Sequence, residues 1–179
     1  MNQIGSTYGE ALYDLAAEEH LEETILQQML VLKESFAQQP EFVQLLASPT
    51  LSKAERCEIL DNSFSGKLEQ YLLNFLMLLT EKNYIRYFSD CCSSYVQKYN
   101  HAHNILPVNA VTAVPLKPEQ TARLTEKLAA ITGKQIALTN RVDPACVGGV
   151  RLDYEGMQLD DTVAYRLEQV HRLLKNTVL

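Results

Sequence analysis

Of the twelve residues from Leu68 to Leu79, only Glu69, Gln70 and Asn74 are polar. A helix lying on one side of a bundle needs an apolar stripe roughly 100° wide, and this segment is apolar on nearly every side. Two arrangements satisfy it. The helix is either ringed by other helices of the same chain, or lies half in the core and half along a groove that takes another protein's amphipathic helix. Burying two or three surplus side chains at about 1.5–3 kcal/mol each would give such a groove useful binding energy before ordering costs. A membrane span is excluded for this segment, since Tyr71 to Leu79, interrupted by Asn74, is far shorter than the roughly 20 residues a span requires.

The sequence around this segment carries further helical patterns. From Ile4 to about Glu18 the apolar residues Ile4, Tyr8, Ala11, Leu12 and Leu15 recur at helical spacing, with Ser6 or Thr7 as the expected starting cap. A second helix is expected from about Leu21 to Gln38, burying Ile25, Leu26, Met29, Leu30 and Phe36 and stopping before Pro40. A short third passes through Phe42, Leu45 and Leu46. Ser52 and Glu55 read as a capping box, so a fourth helix begins near Lys53. The fifth covers roughly Lys67 to Lys82, and a sixth carries Ile85, Phe88, Cys92, Tyr95, Val96 and Tyr99 on one stripe. Short links between six helices predict a bundle over residues 1–103.

Around Asn100-His101-Ala102-His103 the pattern changes to that of strands, and this marks the expected domain boundary. Ile105 to Val114 is rich in Val and Ala, and Pro107 and Pro115 punctuate it as an edge strand tolerates. Pro118 then opens a helix with Leu124, Leu128 and Ile131 inward, and Gly133 suits its left-handed cap. Strands are expected over Lys134 to Val142 and Val147 to Leu152, separated by a turn at Asp143-Pro144. Glu155-Gly156 reverses the chain into Met157 to Leu159, making a hairpin. Asp160 or Asp161 is expected to cap a final helix whose Val163, Leu167, Val170 and Leu174 share one face. The fold class is thus α+β: an N-terminal six-helix bundle followed by a small C-terminal α/β domain over residues 104–179. With 46% apolar and 21% charged residues, the 179-residue chain can supply two such cores.

The same residues argue against chemistry. A net charge of −6 with scattered lysines and arginines does not suit nucleic acid. Cys57, Cys91, Cys92 and Cys146 form no CxxC and are expected as reduced thiols. His101 and His103 alternate, yet no cysteine or carboxylate cluster completes a metal shell around them. Gly148-Gly149 lacks the spaced glycines of a dinucleotide fingerprint, and Gly133-Lys134 lacks the first glycine and the hydroxyl residue of a P-loop. No GxSxG is present, and Asp160-Asp161 reads as a helix cap in place of an acid pair. Catalytic residues, cofactors and metals are therefore expected to be none. Met1-Asn2-Gln3-Ile4 leads into helical periodicity without a leader pattern, which predicts an unprocessed cytosolic product.

In order and spacing, several motifs together resemble one family. They are Tyr8-Gly9-Glu10-Ala11-Leu12-Tyr13-Asp14-Leu15-Ala16, Leu46-Ala47-Ser48-Pro49 with Leu51-Ser52, and Asn74-Phe75-Leu76 through Glu81-Lys82-Asn83-Tyr84-Ile85. In the second half they are Pro115-Leu116, Gly133-Lys134, Val142-Asp143-Pro144, Val147-Gly148-Gly149-Val150-Arg151-Leu152 and Leu159-Asp160-Asp161-Thr162-Val163. The chain is similar, end to end, to the ATP synthase delta subunit family, which includes the mitochondrial oligomycin-sensitivity-conferring protein. One departure is that Asp161 stands where the family usually has glycine, and Thr162 where it usually has serine.

The resemblance implies a non-catalytic stator subunit that joins the catalytic head to the peripheral stalk and resists rotor torque. It implies that the amino-terminal domain grips the amino-terminal helices of alpha subunits through its first and fifth helices. By position that contact falls on Tyr8, Ala11, Leu12, Leu15, Tyr71, Asn74, Phe75 and Leu78. It implies further that the carboxy-terminal domain binds the stalk's b subunits, with Gly148, Gly149, Val163 and Leu167 as candidates. The expected place is the cytoplasmic face of the bacterial plasma membrane, peripheral, without direct membrane insertion. The alternatives are a generic two-domain cytosolic adaptor, or an enzyme with a site between its domains.

Overall fold

The computed structural model describes residues 3–48 and 50–169, which fall into two compact units meeting at Tyr99 and Asn100. The division falls within the last turn of the sixth helix.

The first unit contains α1 (Gln3–Glu18), α2 (Glu22–Gln38), α3 (Pro40–Leu46), α4 (Lys53–Phe64), α5 (Gln70–Glu81) and most of α6 (Phe88–Ala102), with a 3-10 turn at Ile85–Tyr87. One cluster joins them, in which Ala16, Ile25, Met29, Leu46, Leu60, Leu72, Leu76, Leu79 and Tyr95 are wholly enclosed. Helix α4 starts where the sequence predicts. Ser52 Oγ accepts from the Glu55 N–H at 3.2 Å, and Glu55 Oε2 accepts from the Ser52 N–H at 2.8 Å. Gly5 and Gly9 allow α1 to press on α6, because a Cβ at either would run into Asp90, Cys91 or Ser94. Arg56, buried on α4, donates from Nη1 to the Leu46 carbonyl at 3.1 Å and to Asn83 Oδ1 at 3.2 Å. It thereby ties the end of α3 to the turn after α5, where Asn83 takes the left-handed conformation at φ 63°.

Several expectations need correction here. Ser6 and Thr7 lie inside α1 and do not cap it; Ser6 Oγ donates to Glu10 and Thr7 Oγ1 to the Gln3 carbonyl. Leu30 is exposed, and Leu32 occupies the core place expected for it. Apolar residues outnumber the inward positions of α2, and neighbouring helices decide which are covered.

The second unit has β1 (Ile105–Thr112), α7 (Pro118–Thr132), β2 (Gln135–Val142), a 3-10 turn at Pro144–Cys146, β3 (Val150–Tyr154) and β4 (Met157–Asp160). The sheet order is β2-β1-β3-β4, with β1 parallel to β2 and antiparallel to β3. The expected edge strand is therefore interior. Pro107 is tolerated because β3 pairs only with Asn109 to Thr112, which leaves one flank of Pro107 unpaired. Gly133, at φ 67°, closes α7 as expected. Leu106, Val108, Ala110 and Leu152 form the buried core, with Leu124 and Leu128 of α7 packed over them, whereas Ile131 points outward. The β3–β4 reversal has φ 46° at Glu155 and 78° at Gly156, the pair of left-handed residues that a tight hairpin requires.

A helical run occupies residues 163–169. Its cap is Thr162, buried, whose Oγ1 accepts from the Tyr165 N–H at 3.2 Å; Asp160 Oδ1 in turn accepts from the Thr162 N–H at 3.0 Å. The cap is thus neither Asp160 nor Asp161. Val170 and Leu174, expected on the same face, lie outside the described residues.

Candidate functional site

The sequence places its strongest signal on α5, and the structure divides that helix sharply. Leu72, Leu73, Phe75, Leu76, Leu79 and Thr80 are buried. Gln70, Asn74 and Leu78, spaced one turn apart, form the outer stripe, with Gln70 Nε2 donating to Asn74 Oδ1 at 3.0 Å. Helix α5 is mostly a central helix, so the hydrophobic surplus is one narrow stripe and not half a circumference.

Helix α1 packs on α5, and two contacts give their direction. Near the end of α1, the Glu19 carboxylate lies close to the Tyr71 phenol at the start of α5, and its charge holds that phenol above its ordinary range. Near the start of α1, the Tyr8 ring meets Tyr84, just after α5, edge to face at 5.9 Å. The helices are therefore antiparallel, which sets Leu15 and Leu78 about one turn apart along the pair. Leu15 is 38% exposed and Leu78 40%. Ala11 is exposed beside them, and Tyr8 and Tyr71 are half-buried.

The eight residues expected at this contact thus separate into two groups. Leu12 and Phe75 belong to the unit's own core at 3% and 7% exposure. Tyr8, Ala11, Leu15, Tyr71, Asn74 and Leu78 reach the surface. A charge placed at Phe75 would break the fold before it tested a contact.

In the second unit Gly148 and Gly149 precede β3 and do not form the hairpin turn. Gly149 has φ 79°, and a Cβ there would strike the Asp161 carbonyl; a Cβ on Gly148 would lie 3.4 Å from Val163. The Gly148 carbonyl accepts from the Val163 N–H at 3.0 Å. The glycine pair therefore lets the start of the final helix lie against the strand. Val163 and Leu167 remain 40% and 63% exposed.

A further apolar strip was not singled out from the sequence. In β4, Leu159 pairs with Leu152 and Met157 with Tyr154, so both share the face that α7 covers on β1 and β2. They are 55% and 54% exposed. The alternation Met157, Gln158, Leu159 was the readable signal. Among the described residues no cluster suited to a metal occurs, and no helix is long and apolar enough to cross a membrane. All four cysteines are free, and burial pushes the Cys91 thiol up to about 12.

Comparison with known proteins agrees with this picture. The family model described as "ATP synthase delta (OSCP) subunit" matches residues 4–174. "ATP synthase subunit delta" of Desulfitobacterium hafniense is 30% identical over 175 residues, covering 97% of both chains. The protein of that name from Lactobacillus delbrueckii subsp. bulgaricus is 33% identical over 173 residues and 93% of each chain. A chain of the Toxoplasma gondii mitochondrial ATP synthase hexamer, solved by cryo-electron microscopy, superposes with a TM-score of 0.70 at 19% identity. It covers 97% of this chain and 98% of its own, and so shares the fold.

Proposed function

This chain belongs to the ATP synthase delta (OSCP) subunit family, and from that premise we propose how its two units divide the work. The subunit is a non-catalytic stator component of F-type ATP synthase, and its partners lie within that complex. The first unit acts as a six-helix bundle whose α1–α5 face receives the amino-terminal helices of alpha subunits. The second unit binds the b subunits of the peripheral stalk. The assembly sits at the cytoplasmic face of the bacterial plasma membrane, and this subunit inserts no segment into the bilayer.

One observation carries the first assignment. Helices α1 and α5 have already filled the core, yet each still exposes a leucine, Leu15 and Leu78, about a turn apart on antiparallel neighbours. An amphipathic helix laid along them would cover both, with Tyr8, Ala11, Tyr71 and Asn74 at its margins. Exposed Glu10 and Glu18 on α1 favour a partner with basic residues at its edges. For the stalk, Val163 and Leu167 are joined by Met157 and Leu159 as exposed apolar residues. Gly148 and Gly149 act indirectly there, by seating the final helix.

Such a chain performs no chemistry. It holds the head still while the rotor turns, so that torque deforms catalytic sites without spinning the head. Two docking sites on one chain raise the effective concentration of the second contact, and moderate interfaces then give a durable tether. In reconstituted complexes, Leu15→Glu with Leu78→Glu is expected to release the head while the subunit stays on the stalk. Val163→Asp with Leu167→Asp should do the reverse. Retention of head and stalk by both variants would refute the division.

A further inference from the structure

A separate concavity of about 380 Å³ lies between α2, α3 and the turn leading into α6. Its lining includes the apolar Phe36, Val43, Ile85 and Phe88 together with two cations, Lys33 and Arg86. Phe36 and Phe88 meet edge to face at 5.2 Å, giving a firm aromatic wall. No acidic side chain lines the cleft, and among the described residues neither cation belongs to an ion pair; Lys33 Nζ donates to the neutral Ser93 Oγ at 3.3 Å. In a chain of net charge −6, two cations without an ion-pair partner among the described residues thus lie beside one apolar cleft.

The walls also limit what fits. Each is a single turn, residues 33–37, 40–44 and 85–89, or roughly 6–7 Å of helix. A docking helix would need several turns of groove, whereas small-molecule sites combine this size of apolar hollow with a few orienting polar groups. We propose that the cleft binds a small amphiphilic carboxylate, its hydrocarbon part against the half-buried Phe36 and Val43 over a floor of the buried Ile85 and Phe88, and its carboxylate between Lys33 and Arg86. Paired cations recognise a carboxylate by charge-assisted hydrogen bonds, and the exposed Arg86 keeps the head group near water while the tail is covered. The site is independent of the α1–α5 face.

Titration of the full-length chain with sodium decanoate and, separately, with decylammonium chloride tests this by calorimetry and amide chemical shifts. Decanoate is expected to move the amides of residues 33–44 and 85–89 and to bind roughly tenfold more tightly than decylammonium. K33E/R86E, at two positions outside the core, should abolish or invert that preference; if it melts early, K33Q/R86Q serves and should remove the preference. The proposal is overturned by equal affinity for both head groups, by shifts confined to other regions, by absence of decanoate binding, or by a folded charge variant that binds decanoate as the wild type does.

Discussion

In the first unit Leu72, Leu76 and Leu79 of α5 are wholly enclosed, whereas in the second α7 contributes no buried residue at all. Under the proposed function, the contrast separates two ways of meeting a partner. The helical unit completes its own core and offers a narrow stripe, so its docking residues can change without cost to the fold. The α/β unit has a small core around Leu106, Val108, Ala110 and Leu152 and leaves Met157, Leu159, Val163 and Leu167 open, so its docking surface and its stability would overlap.

The contrast is open to attack by substitution, beginning with the largest effect. Leu76→Ala should cost the first unit about 2–5 kcal/mol in chemical denaturation, while Leu128→Ala on half-buried α7 should cost only about 1 kcal/mol. Equal losses would erase the distinction. Next come the glycines at close approaches. Gly9→Ala drives a Cβ into the Cys91 carbonyl of α6 and should cost about 1–3 kcal/mol, observed as faster amide exchange in α1 and α6. Gly149→Ala combines left-handed strain with a clash on Asp161 and should cost a similar amount, loosening the final helix first.

A smaller effect follows from pH. Burial raises the Cys91 thiol from 9.0 to about 12, and burial likewise raises Cys92 and Tyr95. A folded state that keeps its proton longer than the unfolded chain loses stability as pH climbs between the two values. The first unit should therefore melt at progressively lower temperature from about pH 9 to about 12, and Cys91→Ala should flatten that slope. An unchanged slope would show that other groups govern the alkaline limb.

Much of this architecture could be read from residue patterns because the deciding forces are local. The Ser52–Glu55 capping box, the Gly133 stop and the Glu155-Gly156 reversal each involve neighbours within a few positions, and the structure places them as expected. Legibility failed where the answer depends on distant segments. Pro107 suggested an edge strand, but its tolerance comes from how far β3 extends. The apolar girth of α5 suggested a half-open helix, yet the surrounding helices cover Leu73 and Phe75 and leave only Leu78 of its large apolar residues exposed. The family resemblance places Leu12 and Phe75 in the candidate contact by position, and no local rule distinguishes a core position from an interface position. The Met157–Leu159 strip was missed because two apolar residues on a short strand look like ordinary core until the extent of α7 over the sheet is known.

The most direct test uses a peptide from the amino terminus of the alpha subunit, titrated into the full-length chain while amide shifts and affinity are recorded. The account expects shifts centred on residues 8–19 and 70–81. It also expects Leu15→Glu with Leu78→Glu to lower affinity by at least about tenfold while stability changes by no more than about 0.5 kcal/mol. Wild-type affinity in that folded variant, or shifts that bypass both helices, would contradict it.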